Sequence, residues 1–163
     1  MRLHGLAVVL LGLGCREPTS VDYDLHEFQV TTSVSSTVAR EREPTTVSVT
    51  VTNVGTVPRS LFTGCLQGFV VETADGTRVG PAEIYCLTIT GPDVVELAPG
   101  EQLAFEARWA GEAYRPTGTE PRLVPAGTYL LRGMAWPYPK VTGRPGFRME
   151  PVLSDPIPVT FAP

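Results

Sequence analysis

Thr46-Val47-Ser48-Val49-Thr50-Val51-Thr52 alternates valine with hydroxyl residues without a break. In an extended chain successive side chains point to opposite faces, so the valines share one face and the hydroxyls the other. β-branched residues favour that conformation, and the two-faced chemistry is that of a strand with one side in a core and one in water. Asn53-Val54-Gly55 closes the run with residues that tolerate left-handed backbone.

The same period of two recurs on both sides. Phe28, Val30, Thr32 and Val34 alternate with Glu27, Gln29, Thr31 and Ser33. Phe69 and Val71 point inward from Gly68 to Glu72, and Asp75-Gly76 is a hairpin turn before Thr77-Arg78-Val79. Tyr85 to Thr90 and Val94 to Leu97 read as short strands, and Ala98-Pro99-Gly100-Glu101 as a turn. Leu103, Phe105, Ala107 and Trp109 then alternate with polar and small residues. Ala110 to Arg122 is long, polar and rich in Gly and Pro, and reads as a loop. Thr128 to Trp136 is apolar on both faces except Arg132, which suits a central strand. Ile157, Val159 and Phe161 alternate with Pro156 and Pro158, whose missing ladder donors predict an edge strand.

The composition agrees. The 163 residues include 16 Gly and 16 Pro, which leaves little room for long helices. No window carries a helical period, and there is no internal repeat. A formal net charge of −4 argues against a nucleic-acid partner, which needs a basic face. The expectation is one all-β domain, an Ig-like antiparallel β-sandwich of seven to nine strands. Pro125 to Tyr129 adds a Gly-x-Tyr at the start of a central strand, as in a tyrosine corner, where the phenol bonds back to upstream backbone.

The N-terminus reads as a targeting segment. Arg2 precedes an apolar run from Leu6 to Leu13, too short to cross a bilayer as a helix, and Gly14-Cys15 follows. Leu11-Gly12-Leu13-Gly14-Cys15 resembles a bacterial lipobox. That resemblance implies a signal peptide over 1–14, acylation of Cys15 and a tether over 15–21, ahead of a sandwich over 22–163. The protein is then exported and held at a membrane by its lipid. Arg16 is not the acidic residue that retains such lipoproteins at the inner membrane. The implied place is the outer membrane, facing the periplasm or the cell surface.

Cys65 and Cys86 lie 21 residues apart. In an exported domain an even pair reads as a disulfide, whose loop closure would contribute ~3 kcal/mol. Two buried free thiols are the other reading. A zinc site is not supported, with no CxxC spacing and no nearby His.

Val47 to Asn53, Gly55, Phe69 to Val71, Asp75-Gly76, Leu97 to Glu101, Phe105, Trp109 and Pro125 to Tyr129 together resemble the BsuPI-type intracellular proteinase inhibitor domain, a small Ig-like sandwich. The resemblance spans Thr46 to Leu131 and rests on turn and core residues. It implies the fold, and a protease as one possible class of partner. The export signal, the Cys pair and the Pro-rich segment after Trp136 lie outside it.

Catalytic chemistry finds little support. Beyond the leader the one histidine is His26, beside Glu27, and no serine sits in a Gly-x-Ser-x-Gly elbow. Cys65 and Cys86 have no second histidine to activate them. Asp22 and Asp24 flank Tyr23 but belong to no calcium loop. No cofactor, no metal site and no enzyme activity is expected. Recognition through loops is the remaining option, and in an Ig-like sandwich Asn53 to Ser60 and Pro137 to Gly146 share one end. Trp136, Tyr138, Lys140 and Arg144 are the candidate contact residues, unless the two aromatics only cap the core. The expected function is a non-enzymatic, lipid-anchored envelope protein that binds a protein or an envelope polymer through these loops. The alternative is a BsuPI-type inhibitor using Ala110 to Arg122.

Overall fold

The computed structural model describes residues 25–63, 68–80, 94–113, 122–138 and 151–163. A single 3-10 turn, Leu25–Glu27, leads into twelve strands among these residues. They are β1 (Phe28–Val34), β2 (Val38–Ala39), β3 (Thr45–Asn53), β4 (Arg59–Phe62), β5 (Phe69–Glu72) and β6 (Arg78–Gly80). The second half adds β7 (Val94–Leu97), β8 (Gln102–Trp109), β9 (Gly127–Ala135), β10 (Pro137–Tyr138), β11 (Val152–Leu153) and β12 (Ile157–Phe161).

One layer runs β1-β3-β8 and the other β2-β12-β9-β5-β6. A small group, β10-β4-β7, extends the second layer: β10 follows β9 after Trp136 and pairs with β4, while β9 pairs with β5. β11 and β12 likewise pair in succession with β9 and follow one path broken at Ser154 to Pro156. With these continuations joined, the order is that of an Ig-like sandwich, all-β as the period of two predicts. The first strand divides between layers. β1 pairs antiparallel with β3, and β2 crosses over to pair parallel with β12.

β3 makes the alternation visible. Val47, Val49 and Val51 are buried, while Thr46, Ser48, Thr50 and Thr52 lie half-exposed on the outer face. Facing them from the second layer are Phe69 and Val71 of β5, Tyr129 and Leu131 of β9, and Val159 and Phe161 of β12, all buried. Trp109 is fully buried at the end of β8, edge-on to Tyr129 and tilted against Phe161. The phenol of Tyr129 donates to the Pro125 carbonyl at 2.7 Å, the tyrosine corner that the Gly-x-Tyr predicts.

β9 is central, as predicted, with Arg132 its one charge. Arg132 reaches Glu72 on β5 (3.3 Å) and donates to the Ser154 carbonyl (3.2 Å), so the cation is paired on the outer face. The edge position predicted for Ile157 to Phe161 is corrected, because β12 lies between β2 and β9. The amides of Thr160 and Ala162 donate toward β2. Pro158, two residues earlier, presents its missing donor on that same flank, where β2 does not reach. Proline constrained one half of one flank, not the whole strand.

Candidate functional site

The end of the sandwich at which β3 leaves its sheet is organised by Asn53. Its side chain is fully buried, and its Nδ2 donates to the carbonyls of Val57 and Leu97, each at 2.9 Å. Its Oδ1 accepts the Gly55 amide at 2.9 Å. Its backbone amide donates to the Glu101 carbonyl, and its own carbonyl accepts the Gly100 amide. One residue therefore joins the exit of β3, the 54–58 loop, β7 and the turn before β8. With every polar atom engaged in a dry site, the loop is held in one shape. That shape leaves Val54 50% and Val57 42% exposed, two apolar side chains on a rigid loop.

Neighbouring contacts brace the same end. Arg59 of β4 forms a two-pronged ion pair with Glu27, one arm at 2.6 Å, and the Glu27 carbonyl accepts the Val54 amide. Ser60 lies opposite Tyr138, whose ring stacks on Phe62 at 6.3 Å and 19°. Of the segment from Pro137 to Gly146 expected at this end, the described part is Pro137 and Tyr138, paired with Leu61 and Ser60 of β4. Trp136 is half-buried and lines a narrow apolar crevice with Leu61, Leu103 and Phe105, while its carbonyl accepts the Phe62 amide. Trp136 closes the core, and Tyr138 is half-exposed against Phe62 on β4, the strand that follows the 54–58 loop. Lys140 and Arg144 lie outside the described residues, as do Cys15, Cys65, Cys86, Asp22 and Asp24.

The long loop after β8 leaves from the opposite end. Glu112 bridges Leu123, the Ala113 amide donates to the Arg122 carbonyl, and the Val124 amide donates to the Gly111 carbonyl, both at 2.8 Å. The Trp109 indole donates to the Glu112 carbonyl (3.3 Å), and Gly111 turns with φ +89° against the Phe161 ring. The base of this loop is closed and fastened to the core, and 114–121 lie outside the described residues. The Asp75-Gly76 turn is at this end too, with Gly76 at φ +83°. Asp75 accepts from the Thr73 hydroxyl and the Thr77 amide, and these bonds hold its carboxyl below the ordinary carboxylate value.

Among the described residues, chemistry-bearing groups do not gather at either end. His26 is exposed, and among the described residues no three His, Cys, Asp or Glu side chains form a cluster that fits a metal ion. Buried Ser154 donates its hydroxyl to the Asp155 carbonyl rather than to an imidazole. No helix of the described residues is long and apolar enough to cross a membrane.

The sequence reading passed over Asn53 as an anchor. Its signal was the Asn-x-Gly after a β-branched run, which reads as a turn and does not show that the amide is buried.

No protein-family model matches the chain, and no curated protein matches it. Among solved structures it is similar to the crystal structure of the C-terminal domain of wzt. The TM-score is 0.50 at 13% identity, over 84% of this chain and 74% of that one. A Northeast Structural Genomics Consortium target, SoR45, aligns at TM-score 0.39 and 9% identity over 82% of this chain and 84% of its own. The second carries no weight at that score. The first likeness is one of fold, and it agrees with the strand order in making this chain an all-β sandwich.

Proposed function

We propose that the chain is a non-enzymatic, exported and lipid-anchored envelope protein, whose sandwich binds another protein or an envelope polymer through the loops at the Asn53 end. The observation that supports this most is the loop locked by Asn53, with Val54 and Val57 exposed on it. A loop already fixed in its bound shape loses little entropy on binding, and exposed apolar groups on it supply contact area. A lipid on Cys15 would hold this surface near the membrane by the 15–21 tether. Affinity capture from envelope extracts with the wild type and with the double variant Val54→Ser, Val57→Ser tests the reading. A partner retained by the first and lost by the second is expected. Equal capture by both sinks it.

The inhibitor reading, which the BsuPI resemblance suggests, rests on a different observation and a different place. The loop after Ala113 is closed at its base by the Glu112–Leu123 bridge, the anchoring that a loop resisting cleavage needs. Because the two surfaces sit at opposite ends, a panel of proteases separates the readings. Stoichiometric inhibition that survives Val54→Ser, Val57→Ser but is lost when 114–121 are replaced by glycine and serine favours the inhibitor.

A further inference from the structure

The inference concerns the free flank of β1. The Glu27 carbonyl accepts the Val54 amide, and the Ser35 amide donates to the Thr46 carbonyl, so the ladder to β3 runs through the odd-numbered residues. The amides and carbonyls of Phe28, Val30, Thr32 and Val34 face the other way. No described strand pairs with that flank, and its first half opens on a groove of about 530 Å³ bordered by Phe28, Val30 and Leu153.

Sheet edges are liabilities, and proteins blunt them with charge, proline, bulges or brevity. The other described edges carry such devices. β8 has Glu106 and Arg108, and β7 has Glu96 in four residues. β6 is three residues long with Arg78, β2 two residues long, and β10 two residues long with Pro137. β1 has none of them. It is seven residues, Phe-Gln-Val-Thr-Thr-Ser-Val, in unbroken register, with no charge and no proline.

We propose that β1 is a docking edge, and that its occupant is β1 of a second copy, antiparallel about a two-fold axis at Thr31. The chemistry of the strand selects that occupant. Two identical strands face each other only where no like charges are brought opposite, and β1 meets that condition along its whole length. Centring on Thr31 places Phe28 opposite the second copy's Val34 and Val30 opposite its Thr32, each of these four bringing its free amide and carbonyl. Gln29 then lies across from Ser33, and Thr31 from its own counterpart, on the exposed polar face. The two three-stranded layers join as one six-stranded sheet, β8-β3-β1 continued by the same strands reversed.

Cysteine cross-linking of the full-length chain in expressing cells tests both the partner and the register. Thr31 and its counterpart form a non-hydrogen-bonded pair, with Cα atoms about 4.5 Å apart, so Thr31→Cys should yield a disulfide-linked dimer under mild oxidation. Gln29→Cys and Ser33→Cys should cross-link when the two are co-expressed and not when either is alone. Ser48→Cys, on the central strand of the same face, should stay at the background of the parent chain. Adding Gln29→Lys and Ser33→Lys to Thr31→Cys sets lysines opposite each other, and should reduce the dimer severalfold. A Thr31→Cys chain that stays monomeric, that links to a protein of different mass, or that links no better than Ser48→Cys overturns the proposal.

Discussion

Thr32 of β1 and Gly133 of β9 meet across the sandwich, the glycine amide donating to the threonine hydroxyl at 2.9 Å. A Cβ on Gly133 would lie 2.1 Å from that oxygen and 2.9 Å from Val49 Cγ1. Ser154 completes the node. Its Oγ accepts the same amide at 2.9 Å and the Thr32 hydroxyl at 2.8 Å. Glycine is required here by close approach of the layers, and the hydroxyls satisfy polar groups that the approach buries.

Gly133→Ala should therefore destabilise the fold by about 1–3 kcal/mol, by overpacking. Thr32→Val keeps the volume and leaves the amide its bond to Ser154, so it should cost about 1 kcal/mol or less. Urea unfolding of both variants checks the order. A Gly133→Ala protein as stable as wild type would mean that the layers separate at little cost.

Tyr129→Phe removes the bond to Pro125 and keeps the ring against Trp109. A loss of about 0.5–1.5 kcal/mol is expected, with the tryptophan signal in near-ultraviolet circular dichroism retained. Loss of that signal would assign the phenol a larger part in positioning the ring than one hydrogen bond.

Asn53→Ala leaves the carbonyls of Val57 and Leu97 without their side-chain donor, and should cost about 2–3 kcal/mol. Asn53→Asp should do no better, because a carboxylate cannot donate and would face two carbonyl oxygens. Hydrogen exchange over 54–58 should rise in both variants. Unchanged exchange would show that the loop keeps its shape by other contacts.

Asp75 titrates below the ordinary carboxylate value, held there first by the Thr73 hydroxyl and then by the Thr77 amide. A carboxyl whose folded-state value is depressed adds stability that is fully present above its unfolded value, about 4, and is lost as pH falls through the lower folded value. Asp75→Ala should thus be less stable than wild type at pH 7, the gap narrowing below pH ~4. Carboxyl-carbon NMR titration gives the folded value directly. A midpoint at or above the ordinary value would contradict the hydrogen bonds at this turn.

Cys65 and Cys86 carry the disulfide expectation. Protein exported to an oxidising compartment and denatured without reductant should show neither as a free thiol. Two free thiols would leave the buried-thiol reading in its place.

Much of the fold was legible because burial along a strand is local. Val47, Val49 and Val51 are sorted from their hydroxyl neighbours by the pleat alone, whatever they pack against. Asp75-Gly76 and Gly100 carried their turns in the same way, since positive φ is a property of one residue. The Pro125 to Tyr129 corner could be read because donor and acceptor are four residues apart. The candidate site was legible only in part. Tyr138 is half-exposed on the short strand β10, Trp136 lines the core crevice, and the exposed Val54 and Val57 sit where the sequence shows only a turn.

The sequence by itself determined the class of fold, the inward face of each long strand and the places where the chain turns, because each follows from a few adjacent residues. Only the tertiary structure decided which edges meet. It put β2 alongside β12 despite two prolines, and two-residue strands such as β10 and β11 exist because longer neighbours offer them a ladder. It also gave Asn53 its role, through a carbonyl 44 residues away, and brought Thr32, Gly133 and Ser154 to one point. Such contacts join segments far apart in the chain, and a hydrogen-bonding residue carries no local mark of the partner that will satisfy it.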